Sequence, residues 1–516
     1  MLKYRITAIL ATLVLIIGLG ACGRPKTPVD DPSSANSIGG DGQSPTDAVI
    51  GGGTATTGSG ETTSGDDPSG SVDNSGTTKS GQATATKTKT TPPGPNTIKD
   101  DIQIKTSSTP LEKGLNFGGK TYRMLISKDK EPTESDKRMI AAFEKAYNCK
   151  LTYDVVAFDN MIPHIGSKMS TGTVYDIIYL HGSMFPLSAV QRLVQPLEST
   201  ITTADLYNSA NSSAGGIYLE RSKYFSQNDH LYALSGYDDV NVYFMYYNKQ
   251  KFDDAGLKDP LSLYKQGKWT WDEFLKMGKA VTNTSNGIYF GDASFKEKGI
   301  PESFGGKYIT ADNGVVTVTT SDAKLFAGLQ FVQKISYGAD KIINIAKGNG
   351  TDPAEFLAGN TYAFMGEESI YLKIASSVIN DKKLGGKISN IGYVPLPLGG
   401  SNTSYPGGWI CGIASGRGAS EPKIAAAWAK FRTTWTDPQA ETIAYPSEMV
   451  TLMQAMRKDV NFVNYGYGDR NRATGEAVDN IVHSVETAIA QGQDIRKTLD
   501  SVKGRIQSCI DKTLNK

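Results

Sequence analysis

The chain has 516 residues, 39% of them hydrophobic and 21% charged, with a formal net charge of +1 and four cysteines. That length and apolar content can bury a large core and can supply two or more domains. The near-neutral balance carries no electrostatic footprint for nucleic acid, and four cysteines are too few for a disulfide scaffold.

In chain order, the first segment is a targeting signal. Lys3 and Arg5 give a basic start, and 6–19 is an apolar run too short to span a membrane comfortably. It ends Leu19-Gly20-Ala21-Cys22, small residues followed directly by cysteine, which resembles the lipobox of bacterial lipoproteins. The pattern predicts a signal peptide over 1–21 and a lipid on Cys22, so the protein is expected to be exported and tethered rather than transmembrane. Residues 22–116 follow as a linker. From 23 to 116 the chain has no aromatic residue and is dominated by Gly, Ser, Thr, Pro and Asp. Such a composition cannot bury enough apolar surface to offset its ordering entropy. It reads as a flexible stalk whose coil end-to-end distance is on the order of 50 Å.

The folded part starts near Phe117. Strands are expected at 122–126, 151–156 and 175–180, and helices at 134–147, 161–169 and 185–193. In the first helix Met139, Ile140, Phe143 and Tyr147 share one face. Strands alternating with helices imply an α/β fold with a mainly parallel sheet, whose ligands bind beyond the carboxyl ends of the strands. Those ends carry Asp129, His181 and Ser183. The run Val240-Asn-Val-Tyr-Phe-Met-Tyr-Tyr247 is β-branched and aromatic with only Asn241 polar, so it reads as a strand buried on both faces. Asn248 caps a short helix that Gly256 stops, and Thr270-Trp-Asp-Glu273 opens another. Gly305-Gly306-Lys307 begins a polar, hairpin-like region before a helix at 322–337. Helices at 421–435, 447–458, 474–490 and 495–514 complete the chain.

Several stretches, in register, resemble the sugar-binding branch of the extracellular solute-binding proteins of ABC importers, relatives of maltose-binding protein. These are the strand–Tyr-Asn-Lys–helix–Thr-Trp-Asp-Glu-Phe order, Val194-Gln-Pro-Leu197, Phe356-Leu-Ala-Gly-Asn-Thr-Tyr-Ala-Phe-Met-Gly366, and Ile391-Gly-Tyr-Val-Pro-Leu-Pro397 followed by Gly407-Gly-Trp409. Thr436-Asp-Pro-Gln-Ala-Glu441 is a weaker echo. The resemblance covers roughly 117–516. It implies a two-lobed fold of the type II periplasmic-binding class, with lobe 1 at 117–240 plus 408–445 and lobe 2 at 241–407 plus 446–516. The chain would cross between them near 239–243, 405–410 and 444–448. It also implies a monomeric receptor for a small-molecule ligand, an oligosaccharide or another polar solute. The receptor would work with importer permease subunits at the outer face of the cytoplasmic membrane, without cofactor, metal or nucleic acid.

No bond-breaking motif is legible. The four histidines have no metal-ligand spacing, and there is no nucleophile elbow, Walker-type phosphate loop or Cys-x-x-Cys. Cys149, Cys411 and Cys509 could form at most one disulfide, leaving one thiol free; all three sit in apolar-patterned segments and read as buried thiols. Two acidic pairs, Asp238-Asp239 and Glu367-Glu368, raise the alternative of a glycan-hydrolysing enzyme. Strand neighbours point to opposite faces, however, so neither pair is itself a catalytic pair. One member of each reads as capping or solvated, the other as an acceptor for sugar hydroxyls. Trp409, behind two glycines, is the candidate stacking platform for a sugar's CH face. Tyr371, one turn beyond Glu367, is a further aromatic candidate, with Tyr465 and Tyr467 behind it. Trp269 and Trp271, beside a helix cap, read as packing residues. In maltose-type relatives the position of Glu368 is a stacking Trp, and its absence argues for a different saccharide. A ligand-sensing lipoprotein without an importer is the remaining alternative.

Replacing Cys22 with Ala is expected to release the protein from the membrane fraction or leave an uncleaved signal. Fractionation and processing identical to wild type would show that Cys22 carries no lipid.

Overall fold

The computed structural model describes residues 115–516 apart from 129–130, 203–204, 208–215, 237–238, 297–298, 313–314, 348–350, 440–444, 463–464, 469–475 and 515–516. The signal segment, Cys22, most of the linker, Asp129 and Asp238 lie outside the described residues.

Three strands, β1 (Thr121–Ser127), β2 (Lys150–Val156) and β3 (Ile177–His181), pair in parallel. Helix α1 (Glu134–Tyr147) links the first two. It starts at Thr133, whose hydroxyl accepts from Asp136 N while the Asp136 carboxylate accepts from Thr133 N, so two orphan amides of the first turn are satisfied. Asn148, with φ near 50°, ends it. Helix α2 (Met161–Ser170) leads into β3. The helix expected at 185–193 shortens to Leu187–Val190, because Arg192 takes a left-handed conformation that turns the chain away.

Strand β4 (Val240–Asn248) is buried along all nine residues. Helix α3 (Lys249–Asp254) follows, capped by Asn248, and α4 (Trp271–Val281) is capped by Thr270. Next come α5 (Gly299–Ser303), the hairpin β5 (Ile309–Asp312) and β6 (Val315–Val318), and α6 (Ala323–Ser336). Strand β7 (Ala363–Glu367), helix α7 (Ile370–Asn380), and strands β8 (Ile391–Pro395) and β9 (Tyr405–Gly416) complete the central sheet. Helices α8 (Lys423–Thr434) and α9 (Ser447–Lys458), the short strand β10 (Val460–Asn461), and helices α10 (Val478–Ala490) and α11 (Ile495–Leu514) end the chain.

The pairing of β4 divides the molecule. Val240 and Val242 lie opposite Ile410 and Gly407 of β9, with a register shift between them. From Tyr243 onward the same strand runs between β7 and β8, with Tyr243 opposite Glu367 and Phe244 opposite Pro395. Strand β9 in turn pairs with β3, placing Cys411 opposite His181. The expected parallel arrangement therefore holds for β2-β1-β3. The pairings of β4, and that of β9 with β3, are antiparallel, so the sheet as a whole is mixed.

Alternation along the strands sorts the core. Met124, Ile126, Ile177 and Tyr179 face α1 and α8, while Leu125, Ile178 and Leu180 face the other way, toward Met161, Trp409 and Phe462. In the second half Tyr243, Met245 and Tyr247 meet Trp271 and Phe274, and Val242, Phe244 and Tyr246 meet Tyr371, Met449 and Met453. Helices α6, α10 and α11 enclose a further cluster around Leu329, Val482 and Val502. Trp269 and Trp271 are packing residues, as expected. Their indole N–H groups donate to Pro395 O at 2.8 Å and Ser303 Oγ at 3.0 Å. Cys149 and Cys509 are buried free thiols, and burial pushes each up to about 11; Cys411, also expected as a thiol, is instead disulfide-bonded.

Trp428 anchors the first half. It is fully buried, packs edge-on against Phe143 at 5.1 Å, and donates its indole N–H to Tyr179 Oη at 2.7 Å. Trp428→Ala is expected to lower unfolding free energy by about 3–5 kcal/mol, because the residual cavity cannot collapse under a sheet. Urea unfolding with an unchanged slope and a lower midpoint would record it.

Candidate functional site

Four chain segments converge where β4 enters the second half: the start of β4, the end of β7, the Gly407-Gly408-Trp409 part of β9, and the end of β3. Each brings polar or aromatic side chains that the sequence singled out.

Glu367 is the centre. Its carboxylate accepts the indole N–H of Trp409 at 2.6 Å and the side-chain amide of Asn241 at 3.4 Å. Asn241 also donates to Ser369 Oγ at 3.4 Å, and its carbonyl accepts from Glu368 N at 3.1 Å. This explains how one polar residue is tolerated in a strand buried on both faces: its amide is held from three directions. Trp409 is 6% exposed, and its ring lies 6.4 Å from that of His181, tilted by 37°. His181 accepts the backbone N–H of Ser183 on Nδ1 at 3.0 Å, with Ser183 Oγ 2.6 Å from the same nitrogen. That pairing places the imidazole proton on Nε2. Phe158 packs edge-on against the ring at 5.1 Å.

The two glycines have a use that their sequence did not disclose. A Cβ on Gly408 would stand 3.1 Å from Glu367 Cγ and Oε1, and one on Gly407 would stand 3.3 Å from Phe462. Here the space they free admits protein groups: the carboxylate from β7 and the ring from the segment after β10.

The adjacent acidic residues behave differently. Glu368 is buried and forms an ion pair with the equally buried Arg457 of α9. The same carboxylate accepts from Val242 N at 3.3 Å, and Arg457 Nε donates to Val240 O at 3.1 Å. Arg221 donates to the Arg457 carbonyl. Asp239 is buried against Arg432 of α8 and also accepts from Gly236 N. Glu368 and Asp239 are therefore structural anchors of the β4 entrance, which corrects their place among ligand-contacting residues. Tyr371 needs the same correction. It is 1% exposed within the core, edge-on to Tyr393 at 6.1 Å and tilted against Tyr445 at 5.7 Å. Ile370, Tyr371, Ile374, Ala375 and Val378 form the buried face of α7, so its position one turn past Glu367 directs it inward. Tyr465 and Tyr467 are likewise core residues.

Sequence reasoning missed Arg457, Arg432 and Ser369. Arg457 sits beside Met449, Met453 and Met456 on a helix whose apolar face is buried. A basic residue in the last turn reads as a helix-dipole partner, and its burial follows only from the fold. A separate groove of about 760 Å³, lined by Trp271, Phe304, Phe331, Tyr337, Gly399 and Gly400 among others, shares no residue with this cluster.

The two glutamates should separate cleanly. Glu368→Ala leaves the Arg457 charge buried without its partner and is expected to cost about 3–5 kcal/mol of stability. Glu367→Gln keeps an acceptor for Trp409 and is expected to cost about 1 kcal/mol or less. Equal melting temperatures for the two variants would contradict the assignment.

A profile of bacterial extracellular solute-binding proteins matches residues 138–463. Among solved structures, an ABC substrate-binding protein from Listeria monocytogenes in complex with cycloalternan is similar at 15% identity and TM-score 0.56, covering 77% of this chain and 99% of its own. The galacto-N-biose/lacto-N-biose I-binding protein of Bifidobacterium longum, in complex with lacto-N-biose, aligns at 13% identity and TM-score 0.56, over 78% and 98% of the two chains. UgpB from Mycobacterium tuberculosis, in complex with glycerophosphocholine, aligns at 17% identity and TM-score 0.55, over 76% and 99%. No curated protein sequence matches the chain. Among the described residues no helix is long and apolar enough to cross a membrane. The fold is the two-lobed α/β architecture of periplasmic binding proteins, and the chain belongs to the bacterial extracellular solute-binding protein family, whose members bind substrates rather than convert them.

Proposed function

We propose that the protein is the lipid-anchored receptor of an ABC importer, capturing an oligosaccharide or another small polar solute between its two lobes. The observation that carries this reading is the convergence of Glu367, Asn241, Trp409, His181 and Ser183 on the strand that passes from one half of the sheet to the other. Lobe 1 is taken as 117–240 plus 408–445 and lobe 2 as 241–407 plus 446–516.

The chemistry suits a sugar. A carboxylate accepts hydroxyl protons, a side-chain amide offers both donor and acceptor, and an indole face takes a ring's CH surface. In the state described here Trp409 spends its N–H on Glu367 and is covered. A ligand would reach both when the lobes part, replacing that internal bond with its own hydroxyls. Ligand contacting both lobes then favours closure, since only the closed form makes both sets of bonds. Importer permease subunits would read that closed form. The similar solved structures hold ligands from cyclic and linear saccharides to glycerophosphocholine, which supports a polar solute and leaves its identity to experiment.

The glycan-hydrolase alternative loses its support at this site. Glu368 and Asp239 are committed to Arg457 and Arg432, so neither described residue is placed to act as the second carboxylate beside Glu367. Incubation with oligosaccharides is expected to return them uncleaved. A sensor without an importer would use the same cleft, and neighbouring permease genes rather than a sensor kinase would favour transport.

A thermal-shift screen over mono- and oligosaccharides tests the reading, because a ligand that binds only the native state raises its melting temperature. For a hit, Trp409→Ala is expected to weaken binding by about ten- to a hundredfold, or roughly 1–3 kcal/mol. Normal binding by both Trp409→Ala and Trp409→Phe, counted per folded molecule, would remove the indole from the site.

A further inference from the structure

Lys307 occupies a position that the proposed function does not use. It lies in the loop between α5 and β5, half-buried, and reaches across to β10, where its Nζ donates to Asn461 Oδ1 at 3.2 Å. Asn461 is the register partner of Pro406 at the start of β9, and Phe462 beside it covers Gly407. Two residues after Pro406 comes Gly408, whose missing Cβ makes room for Glu367. The ammonium thus stands at the same crossover as the candidate site, toward its amino-terminal end.

Its electrostatics are unusual for a lysine in such a place. Among the described residues its hydrogen-bond partner is a neutral amide, and no carboxylate lies within ion-pair distance. The charged groups around it are Glu302 on α5, which favours its charge from a distance, and Asp322 and Lys324 at the start of α6, which oppose one another. Burial is the largest influence and pushes the ammonium down to about 8. A half-buried cation without a counter-ion is costly to keep, because desolvation is not repaid by a partner. A methionine or glutamine would fill the same volume without that cost.

We infer that Lys307 is an anion-recognising residue of the cleft, and that the solute carries a carboxylate or phosphoryl group together with hydroxyls. The inference rests on the receptor reading and narrows it. The hydroxyls face the Glu367–Asn241–Trp409 end, where acceptors predominate, and the anionic group faces Lys307, which keeps it away from the Glu367 carboxylate. Such a division also disfavours neutral sugars, since they would leave the ammonium desolvated and unpaired.

The test is calorimetric titration of the whole exported protein with matched pairs: 3′-sialyllactose against lactose, digalacturonate against galactobiose, and trehalose 6-phosphate against trehalose. At least one acidic member is expected to bind at least tenfold more tightly than its neutral counterpart. Its affinity should fall as pH rises from 8 to 10, by up to about tenfold per unit, because Lys307 must be protonated to bind it. Lys307→Met is expected to abolish both the preference and the pH dependence, with neutral members bound at least as tightly as by the wild type, and Lys307→Arg to keep the preference and remove the fall above pH 8. If neutral members bind and no acidic one is preferred, the inference is overturned while the receptor reading stands. It is also overturned if Lys307→Met weakens acidic and neutral ligands equally, which would make the Asn461 contact merely structural. If neither kind binds, both the receptor reading and this inference fall.

Discussion

The entrance of β4 is held by two buried ion pairs, Asp239 with Arg432 and Glu368 with Arg457, and the second of them sets the geometry of the strand change. Arg457 pairs with Glu368 while donating to the carbonyl of Val240, and Glu368 accepts from the amide of Val242. A strand that leaves one ladder for another must leave some backbone groups without a ladder partner at the change. Buried backbone groups cannot stay unpaired cheaply. The register shift between Val240 and Val242 falls at that change, and the charged pair supplies the hydrogen bonds that the ladders do not.

This arrangement also fixes which way the neighbouring side chains face. Asp239 ties the approach to β4 to α8 through Arg432, and Glu368 ties the first residues of β4 to α9. Between these two clamps the side chain of Glu367 faces the opposite way from that of Glu368, toward Trp409 and Asn241. Adjacent carboxylates therefore have different tasks for a purely geometric reason: successive residues leaving a strand project to opposite sides. One is buried with a guanidinium, and the other stands at the meeting of three strands.

Much of the fold was legible in the pattern of apolar residues. The continuous run at 240–247 announced a strand buried on both faces, and all of it is buried. The Asn248 and Thr270 caps, the α1 helix with its Met139–Phe143 face, and the packing role of Trp269 and Trp271 follow from local chemistry that tertiary structure had no reason to override. Antiparallel pairing around β4 was not legible, because a run buried on both faces carries no mark of its neighbours' direction. Likewise, Gly407 and Gly408 announced a close approach, but not that Phe462 and Glu367 are what approach.

The amino-acid sequence by itself determined which stretches form elements, the family they compose, and the cluster of residue types worth suspecting, since periodicity, caps and motif order are properties of neighbours along the chain. Only the tertiary structure decided which suspects meet. Tyr371 turned into the core with the apolar face of its helix, and Glu368 and Asp239 were claimed by Arg457 and Arg432, residues 89 and 193 positions away. Trp409 was brought to Glu367 across 42 residues. Those pairings are decided by strand register and helix packing, which bring together groups that local sequence cannot know are neighbours.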